Sequence, residues 1–434
     1  MARDKNHNLI GINHLLKGEN ILKPSTGLVY GLILLPTIGC AESQVPDYER
    51  HEGIIDFRPY VSANVSYDSN IFRLENSARA QQLLGTSQLS DSLLKTELGL
   101  ETRLRLSRQL ISVDLSVNDT KYDKFKRLDF TGNSKVIRWN WVLGSFLEGV
   151  ISYNDSEVDS GFADVLSSTA VVSSNNLRTT QSTQASLFWH VHPDWTVFGS
   201  LLKSDFSNSN TAFIFSNRQE NTYETGVRYI SGEQNQVSLS FRNIDYDYPN
   251  RSATSLALFG NTSTRQDVIG VFTYNPTIKL NLIAKISAVS LDYPNHGNRN
   301  FDDISQRWTL AYTYSPDTSI GASIYREVNQ VDDVVSTYAQ NEGVGVTSGW
   351  IISPKTSLGA SAEFKTQEYL GSSGVSSTSI PRKDDIETYN LFAKYQATQK
   401  MFLQLNYLRS NRKSNTPNLS YDDNVLSASA SYEF

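Results

Sequence analysis

Apolar and polar residues alternate with period two along much of this 434-residue chain. Between 97 and 106, Leu98, Leu100, Leu104 and Leu106 share one face, and Glu97, Glu101, Arg103 and Arg105 the other. From 279 to 288, Leu280, Leu282, Ala284, Ile286 and Ala288 oppose Lys279, Asn281, Lys285 and Ser287. From 357 to 365, Leu358, Ala360, Ala362 and Phe364 oppose Ser357, Ser361, Glu363 and Lys365. A β-strand sends successive side chains to opposite faces, so each segment reads as a strand with one apolar and one wet face. The alternating segments run about 9–12 residues. A tilted membrane-spanning strand needs about 9–11, whereas strands of soluble domains average about 5–6.

Tight-turn residues punctuate these segments at a beat of about 40 residues. They are His192-Pro193-Asp194, Gly232-Glu233-Gln234-Asn235, Asn275-Pro276-Thr277, Ser315-Pro316-Asp317-Thr318, Ser353-Pro354-Lys355-Thr356 and Gln396-Ala397-Thr398-Gln399-Lys400. Weaker turns at Ser107-Arg108-Gln109 and Gly144-Ser145 extend the series. Such a period also suits propeller blades, which need four short strands per unit. Here each unit reads as strand, short turn, strand, long polar loop, with Asn/Ser/Asp-rich loops such as 206–219, 247–265 and 412–423. Short turns at one end and long loops at the other are the asymmetry of an outer-membrane barrel. The chain is therefore expected to be all-β. Its predicted fold is a transmembrane antiparallel up-and-down β-barrel of about 18 strands, with 16 as the alternative count. Closure matters because an unpaired strand edge in lipid would cost several kcal/mol per group.

Composition agrees with such a wall. Charged residues are 19%, hydrophobic residues 39% and aromatics 11%, with 22 tyrosines against 2 methionines. The net charge of −6 and the lack of a Lys/Arg cluster argue against a nucleic-acid partner. The one cysteine, Cys40, excludes a disulfide framework. Ahead of the strands, Arg3, Lys5, Lys17 and Lys23 precede a short apolar core from Gly27 to Gly39. A basic head, an apolar core too short for a spanning helix and small residues at its end predict a signal peptide over 1–41, cut after Ala41. The rival is a lipoprotein box at Thr37-Ile38-Gly39-Cys40, whose first position departs from the expected Leu. Residues 42–56 are expected to form a periplasmic N-terminal segment, and 57–434 the barrel in the bacterial outer membrane.

Aromatic residues crowd the strand ends. Trp195, Tyr274, Tyr312, Tyr314, Trp350 and Tyr395 lie near the short turns, and Tyr67, Tyr153, Tyr246, Tyr293 and Tyr407 near the long loops. Amphipathic rings favour the lipid–water boundary, so two girdles are expected. The chain ends in a strand placing Leu426, Ala428, Ala430, Tyr432 and Phe434 on one face. Tyr432 and Phe434 resemble the C-terminal signal read by the barrel-assembly machinery, an expected partner along with outer-membrane lipid.

Two stretches add a family likeness. One is Arg58-Pro59-Tyr60-Val61-Ser62-Ala63 leading into Tyr67-Asp68-Ser69-Asn70-Ile71-Phe72-Arg73-Leu74. The other is Leu106-Ser107-Arg108-Gln109 with Asn118-Asp119, Tyr122, Phe125, Leu128-Asp129-Phe130 and Trp139-Asn140-Trp141. Together they resemble exopolysaccharide-operon outer-membrane proteins of the EpsL type, a group of β-barrel porins associated with exosortase genes. The resemblance covers roughly the first hundred residues after the leader. It implies a role in exporting an extracellular polysaccharide, a polysaccharide substrate and periplasmic export components as partners, and it supplies no catalytic residues.

Alternation assigns a basic inward set: Arg103, Arg105, Arg138, Arg228, Arg242, Lys279, Lys285, Arg307, Lys365 and Lys394. The acidic inward set is Glu97, Glu101, Asp114, Glu148, Glu224 and Glu363. A basic lining would draw in an acidic polysaccharide; opposite charges paired across the wall would merely stiffen it. Diffusion of small solutes through a porin and a structural surface barrel are the alternative functions. Tyr67-Asp68-Ser69-Asn70 and Asp422-Asp423-Asn424 offer oxygen ligands but no EF-hand pattern, and are expected to be solvated loop ends rather than a metal site. His296, in a long loop near Asp292, Asp302 and Asp303, is the one candidate for loop catalysis. No phosphate loop, paired metal-ligand motif or nucleophile elbow accompanies it, so no enzyme activity and no cofactor are expected. The long first loop, 68–93, has helix formers from Leu74 to Leu84 and is a candidate plug.

Overall fold

A computed structural model describes residues 54–162, 174–331, 336–371 and 381–434. The expected leader, Cys40 and most of the expected periplasmic segment lie outside the described residues. The described chain forms 18 antiparallel strands. In order they are β1 (Ile55–Asp68), β2 (Asp91–Leu106), β3 (Gln109–Tyr122), β4 (Phe130–Leu143), β5 (Leu147–Asp159) and β6 (Leu177–His192). There follow β7 (Trp195–Asn208), β8 (Arg218–Ile230), β9 (Gln236–Asp247), β10 (Thr262–Thr277), β11 (Leu280–Asp292) and β12 (Phe301–Ser315). The last six are β13 (Thr318–Gln330), β14 (Tyr338–Ser353), β15 (Thr356–Leu370), β16 (Lys383–Gln396), β17 (Met401–Ser414) and β18 (Tyr421–Glu433). Two helices, α1 (Ser77–Leu84) and α2 (Ala253–Phe259), lie in loops at the same end of the barrel.

Each strand pairs with its neighbours in sequence, and β1 pairs with β18 from Tyr60↔Glu433 to Asp68↔Val425. The sheet is thus closed, with 18 strands rather than 16. Eight short turns join the strand pairs from β2–β3 to β16–β17, all at one end. Seven fall where the sequence placed them. The exception is the turn expected at Asn275-Pro276-Thr277. There β10 runs on to Thr277 across a register shift between Tyr274 and Thr277, and the chain reverses at Ile278 and Lys279. Proline cannot donate to a ladder, and a bulge is where a strand tolerates it.

Direct cross-strand partners share a face, so register fixes which residues face out. Leu94, Leu98, Leu115, Ile137, Leu187, Leu201, Val227, Phe241, Ile286, Val344, Phe364 and Leu426 form an exposed apolar outer band. The six aromatics named near the short turns are all exposed and form the lower girdle from β7 to β16. At the loop end, Tyr67 and Tyr153 also face out. Tyr246 does not: it pairs with inward Glu220 and Ser263. Nor does Tyr293, which is buried in the loop after β11. The strands are also longer than expected, at 12–16 residues. Their extra length rises past the apolar band as a polar collar. One row above the outward Ile137↔Tyr153 pair, Lys135 Nζ lies 3.0 Å from Asp155 Oδ2. Beyond that collar the long loops begin.

Closure is helped by aromatics laid over glycine. The Tyr60 ring on β1 occupies the space a Cβ on Gly99 would fill, and its hydroxyl donates to Glu97 Oε1 at 2.7 Å. Tyr325 on β13 covers Gly343 in the same way and donates to Glu363 Oε1 at 2.6 Å.

Candidate functional site

Barrels of 16–18 strands are too wide for wall side chains to fill, so the lumen is the first place to look for function. Register puts Arg103, Arg105, Arg138, Arg228, Arg242, Lys285, Arg307, Lys365 and Lys394 on the inward face. Lys279 is the exception among the ten. It sits exposed in the turn after β10, and its Nζ donates to Tyr314 O at 3.3 Å. Because β10 runs on to Thr277, the turn falls later than expected and takes in Lys279, while the alternation from Asn281 to Lys285 holds. All six acidic candidates face inward as well. Further inward charges sit near the strand ends: Arg58, Lys95, Arg218, Arg265, Asp267, Glu220 and Glu327. Continuing the same period-two count from Glu97 back to Lys95 would have found them. With them included, these inward charges number thirteen bases against nine acids.

The excess of bases is matched by an asymmetry of pairing. Arg242 Nε and Nη2 both donate to Glu224 Oε2, at 2.9 and 2.8 Å. Arg307 makes a two-pronged contact with Glu327, each prong 2.8 Å. Arg218 holds Glu220 at 2.5 Å, Arg265 holds Asp267 at 2.8 Å, and His190 Nε2 lies 3.2 Å from Glu148. Glu97 and Glu363 receive the tyrosine hydroxyls described above. Among the described residues, however, Arg103, Arg105, Lys285 and Lys365 have no carboxylate within ion-pair distance. Arg228 stacks 5.4 Å from the Phe188 ring, and Lys394 lies 5.6 Å from that of Phe392. The wall thus commits these acids to donors and leaves several cations facing the lumen.

Two groups of loops narrow the mouth at the loop end. On the β18–β1–β5 side, the segment after β1 folds against the inner wall. Arg73 is the bolt. Its Nη1 lies 2.9 Å from Asp68 Oδ1 and its Nη2 3.0 Å from Asp423 Oδ2. It also donates to Asn70 O. Asp68 is 2% exposed and Asp423 0%. The solvated loop ends expected from sequence are not what the structure shows: both carboxylates are buried and share the Arg73 guanidinium. Burial holds the Arg73 pKa below its ordinary value, against the opposing charge of Asp423. Arg73 takes φ of 53°, a left-handed conformation uncommon for a side-chain-bearing residue. Asn70 fixes the bend, accepting from Leu74 N at 3.0 Å and donating to Leu74 O at 2.7 Å. Ser69 Oγ donates to Asp423 at 3.1 Å. Phe72 then enters a buried cluster, with its ring 4.9 Å from Phe125 and 4.7 Å from Phe162. Tyr67, the first residue of the motif, faces out in the girdle region. The helix expected between Leu74 and Leu84 is α1, capped by Asn76 and closed by Gly85 at φ 72°.

On the β9–β14 side the wall itself bends. The β11–β12 ladder runs up to Leu291↔Phe301, but the β12–β13 ladder stops at Gln306↔Arg326. Above that point β13 crosses toward β10. Arg265 Nη1 donates to Val328 O at 3.4 Å, and Gln330 Nε2 reaches Ser263 Oγ, Tyr248 Oη and Tyr293 Oη at 3.2–3.3 Å. Reaching β10 from β13 skips two strands, which requires leaning into the lumen. Arg326 fills the seam left behind, donating to both oxygens of Asp303 at 2.8 and 3.0 Å. Over this bend lie α2 and the turn Gly297–Arg299. Asp303 is thus engaged by Arg326, and Asp292 by Asn300. His296 places Nε2 3.0 Å from Ala257 O. The structure does not bring the histidine and aspartates together as loop catalysis would need.

No family model matches the chain, and no curated protein matches it. Among solved structures, OccK2 (OpdF) of Pseudomonas aeruginosa in complex with glucuronate superposes with a TM-score of 0.50 at 10% identity, covering 87% of this chain and 98% of that one. The same protein without glucuronate gives the same values. A BenF-like porin from Pseudomonas fluorescens Pf-5 gives a TM-score of 0.48 at 10% identity, covering 88% of this chain and all of that one. At such identity the likeness is one of fold. It agrees with the closed sheet, the apolar outer band and the girdle: the chain is an outer-membrane β-barrel with the architecture of the porins.

Proposed function

We propose that this barrel is a passive diffusion channel of the outer membrane that favours small anionic solutes. The observation carrying the reading is the pairing asymmetry of the inner wall. The carboxylates Glu97, Glu148, Glu220, Glu224, Asp267, Glu327 and Glu363 each face a donor, while Arg103, Arg105, Lys285 and Lys365 face the lumen without an acid. Uncommitted cations on a low-dielectric wall lower the entry cost for anions. The fold neighbour OccK2 was solved with glucuronate, a small carboxylate; the reading for this chain rests on its own charges.

Export of an acidic polysaccharide, implied by the EpsL-type motifs, uses the same charge preference with a far larger cargo. The motif at 67–73 supports the small-solute reading over it. Its residues bolt the first loop against the inner wall, which narrows the mouth that a polymer chain would need open.

Reversal potentials in planar bilayers under a salt gradient test the proposal. Anion preference is expected, and Lys285→Glu together with Arg103→Glu should move the reversal potential toward the cation side. Cation preference in the unmodified protein would overturn the reading. Unchanged exopolysaccharide yield in a deletion strain is expected, and its loss would restore the export reading.

A further inference from the structure

Buried polar atoms without hydrogen-bond partners mark places where a fold expects something else. Among the described residues several such atoms belong to the wall; another set lies in the loops over the β9–β14 side of the mouth. These are Nε and Nη1 of Arg299, Nδ1 of His296 and Oε1 of Gln330. They belong to one cluster. Arg299 and His296 share the loop after β11, and Gln330 binds the hydroxyl of Tyr293, whose ring lies 5.0 Å from the Arg299 guanidinium.

Arg299 is 2% exposed. Its guanidinium sits between Tyr293 and Phe259 of α2, the latter 4.9 Å away. Rings stabilise the cation through their faces but leave in-plane N–H groups unsatisfied. A buried guanidinium with two unused donors is costly, and a carboxylate supplies both the opposite charge and the acceptors. On the far side of Tyr293, Gln330 Oε1 is a spare acceptor suited to a hydroxyl, and His296 Nδ1, in the same loop as Arg299, is a group able to donate or accept.

We propose that Arg299 anchors an external subsite for a small hydroxylated carboxylate, covered by α2 acting as a lid. This deepens the channel reading and rests on it, because it names the class of anion gathered at the mouth. The lid has a hinge. Gly260 ends α2 at φ 66° and ψ −177°, a conformation essentially confined to glycine. A Cβ there would lie 3.1 Å from His296 Nδ1, so the close seat of the lid on His296 also depends on glycine. Arg251 steadies the same end, donating to Gly260 O at 2.7 Å with its guanidinium 3.8 Å from the Tyr248 ring. The unused Arg299 donors have no solvent access, so the ligand enters as α2 lifts and is enclosed as it returns.

Calorimetric titration of the full chain in detergent, with glucuronate as the probe, tests the site. The unmodified protein should bind glucuronate and not uncharged glucose. Arg299→Gln should weaken binding at least tenfold. Arg299→Lys, which keeps the charge but loses the forked donors, should fall between, and circular dichroism should show both variants folded. Lys285→Gln should leave this binding intact while reducing anion preference in bilayers. Glucuronate binding unchanged in Arg299→Gln, or no binding by the unmodified protein, overturns the subsite. If anion preference persists in that case, the channel reading survives alone. If cations are preferred while binding still depends on Arg299, the channel reading falls and the subsite stands.

Discussion

The two sides of the mouth each contain a buried arginine, and the two arginines have opposite surroundings. Arg73 meets two buried carboxylates, Asp68 and Asp423, and a backbone carbonyl. Arg299 meets two aromatic faces and leaves Nε and Nη1 without acceptors. One cation is matched within the protein and serves to fasten the first loop to the wall. The other is matched only in part, and its remaining capacity is available to something that arrives. Burial alone therefore does not separate a structural arginine from a binding one; the account of its donors does.

The largest effect that tests this contrast should come from Arg73→Ala. Removing one partner of a buried ion pair leaves uncompensated charge and typically costs about 3–5 kcal/mol. Here two buried carboxylates would lose the guanidinium they share. The loss should appear as local opening, because β1 and β18 remain paired below the bolt. Amide hydrogen exchange in residues 71–84 should quicken by more than about a hundredfold, while wall amides hold their protection. Unchanged exchange in the loop would mean that the Phe72 cluster, and not the ion pair, fastens this side.

What could be read from sequence follows the range over which each determinant acts. Strand number, most turns and the lower girdle were legible because alternation and turn chemistry are properties of neighbouring residues. Pro276 shows the limit: a single bulge carried β10 past the expected turn and left Lys279 in the turn instead of the wall. Tyr246 failed for a related reason. Ring chemistry suits a girdle on either side of a strand end, and only parity, counted from Arg242, turns it inward. The fates of Asp68 and Asp423 were not legible at all. They come from opposite ends of the chain and meet only because the barrel closes between β18 and β1. Arg299 was hidden similarly, since its burial requires two loops to dock across β10 and β11. Inward charges such as Lys95 and Arg265 were missed through incomplete counting rather than missing information, for they obey the same alternation.

Arg299→Met should have a smaller effect, and of opposite sign to Arg73→Ala. It exchanges a partly unsatisfied buried cation for an apolar chain that still fills the gap between Phe259 and Tyr293. Relief of the unused donors should outweigh the lost ring contacts by about 1 kcal/mol, given the usual cost of leaving buried polar groups unmade. Exchange in 248–261 and 293–300 should be unchanged or slower. A marked acceleration would show that Arg299 fastens its loops as Arg73 does, and the contrast between the two sides would collapse.

The smallest effect should come from Phe259→Leu, and it asks whether the rings around Arg299 hold the cation or the ligand. Leucine keeps α2 apolar at this position but removes one of the two faces stacked on the guanidinium. A single such face contributes about 0.5–1 kcal/mol where exposed and about 2 kcal/mol when desolvated, and the packing of leucine in its place offsets part of that loss. If its role is to hold Arg299 in place for an incoming carboxylate, glucuronate affinity should fall roughly two- to fivefold, since about 1.4 kcal/mol corresponds to tenfold. The fall should vanish in the Arg299→Gln background, because the ring then has no cation to hold. A loss of the same size in both backgrounds would instead place the Phe259 ring directly against the ligand, making α2 a contact surface as well as a lid.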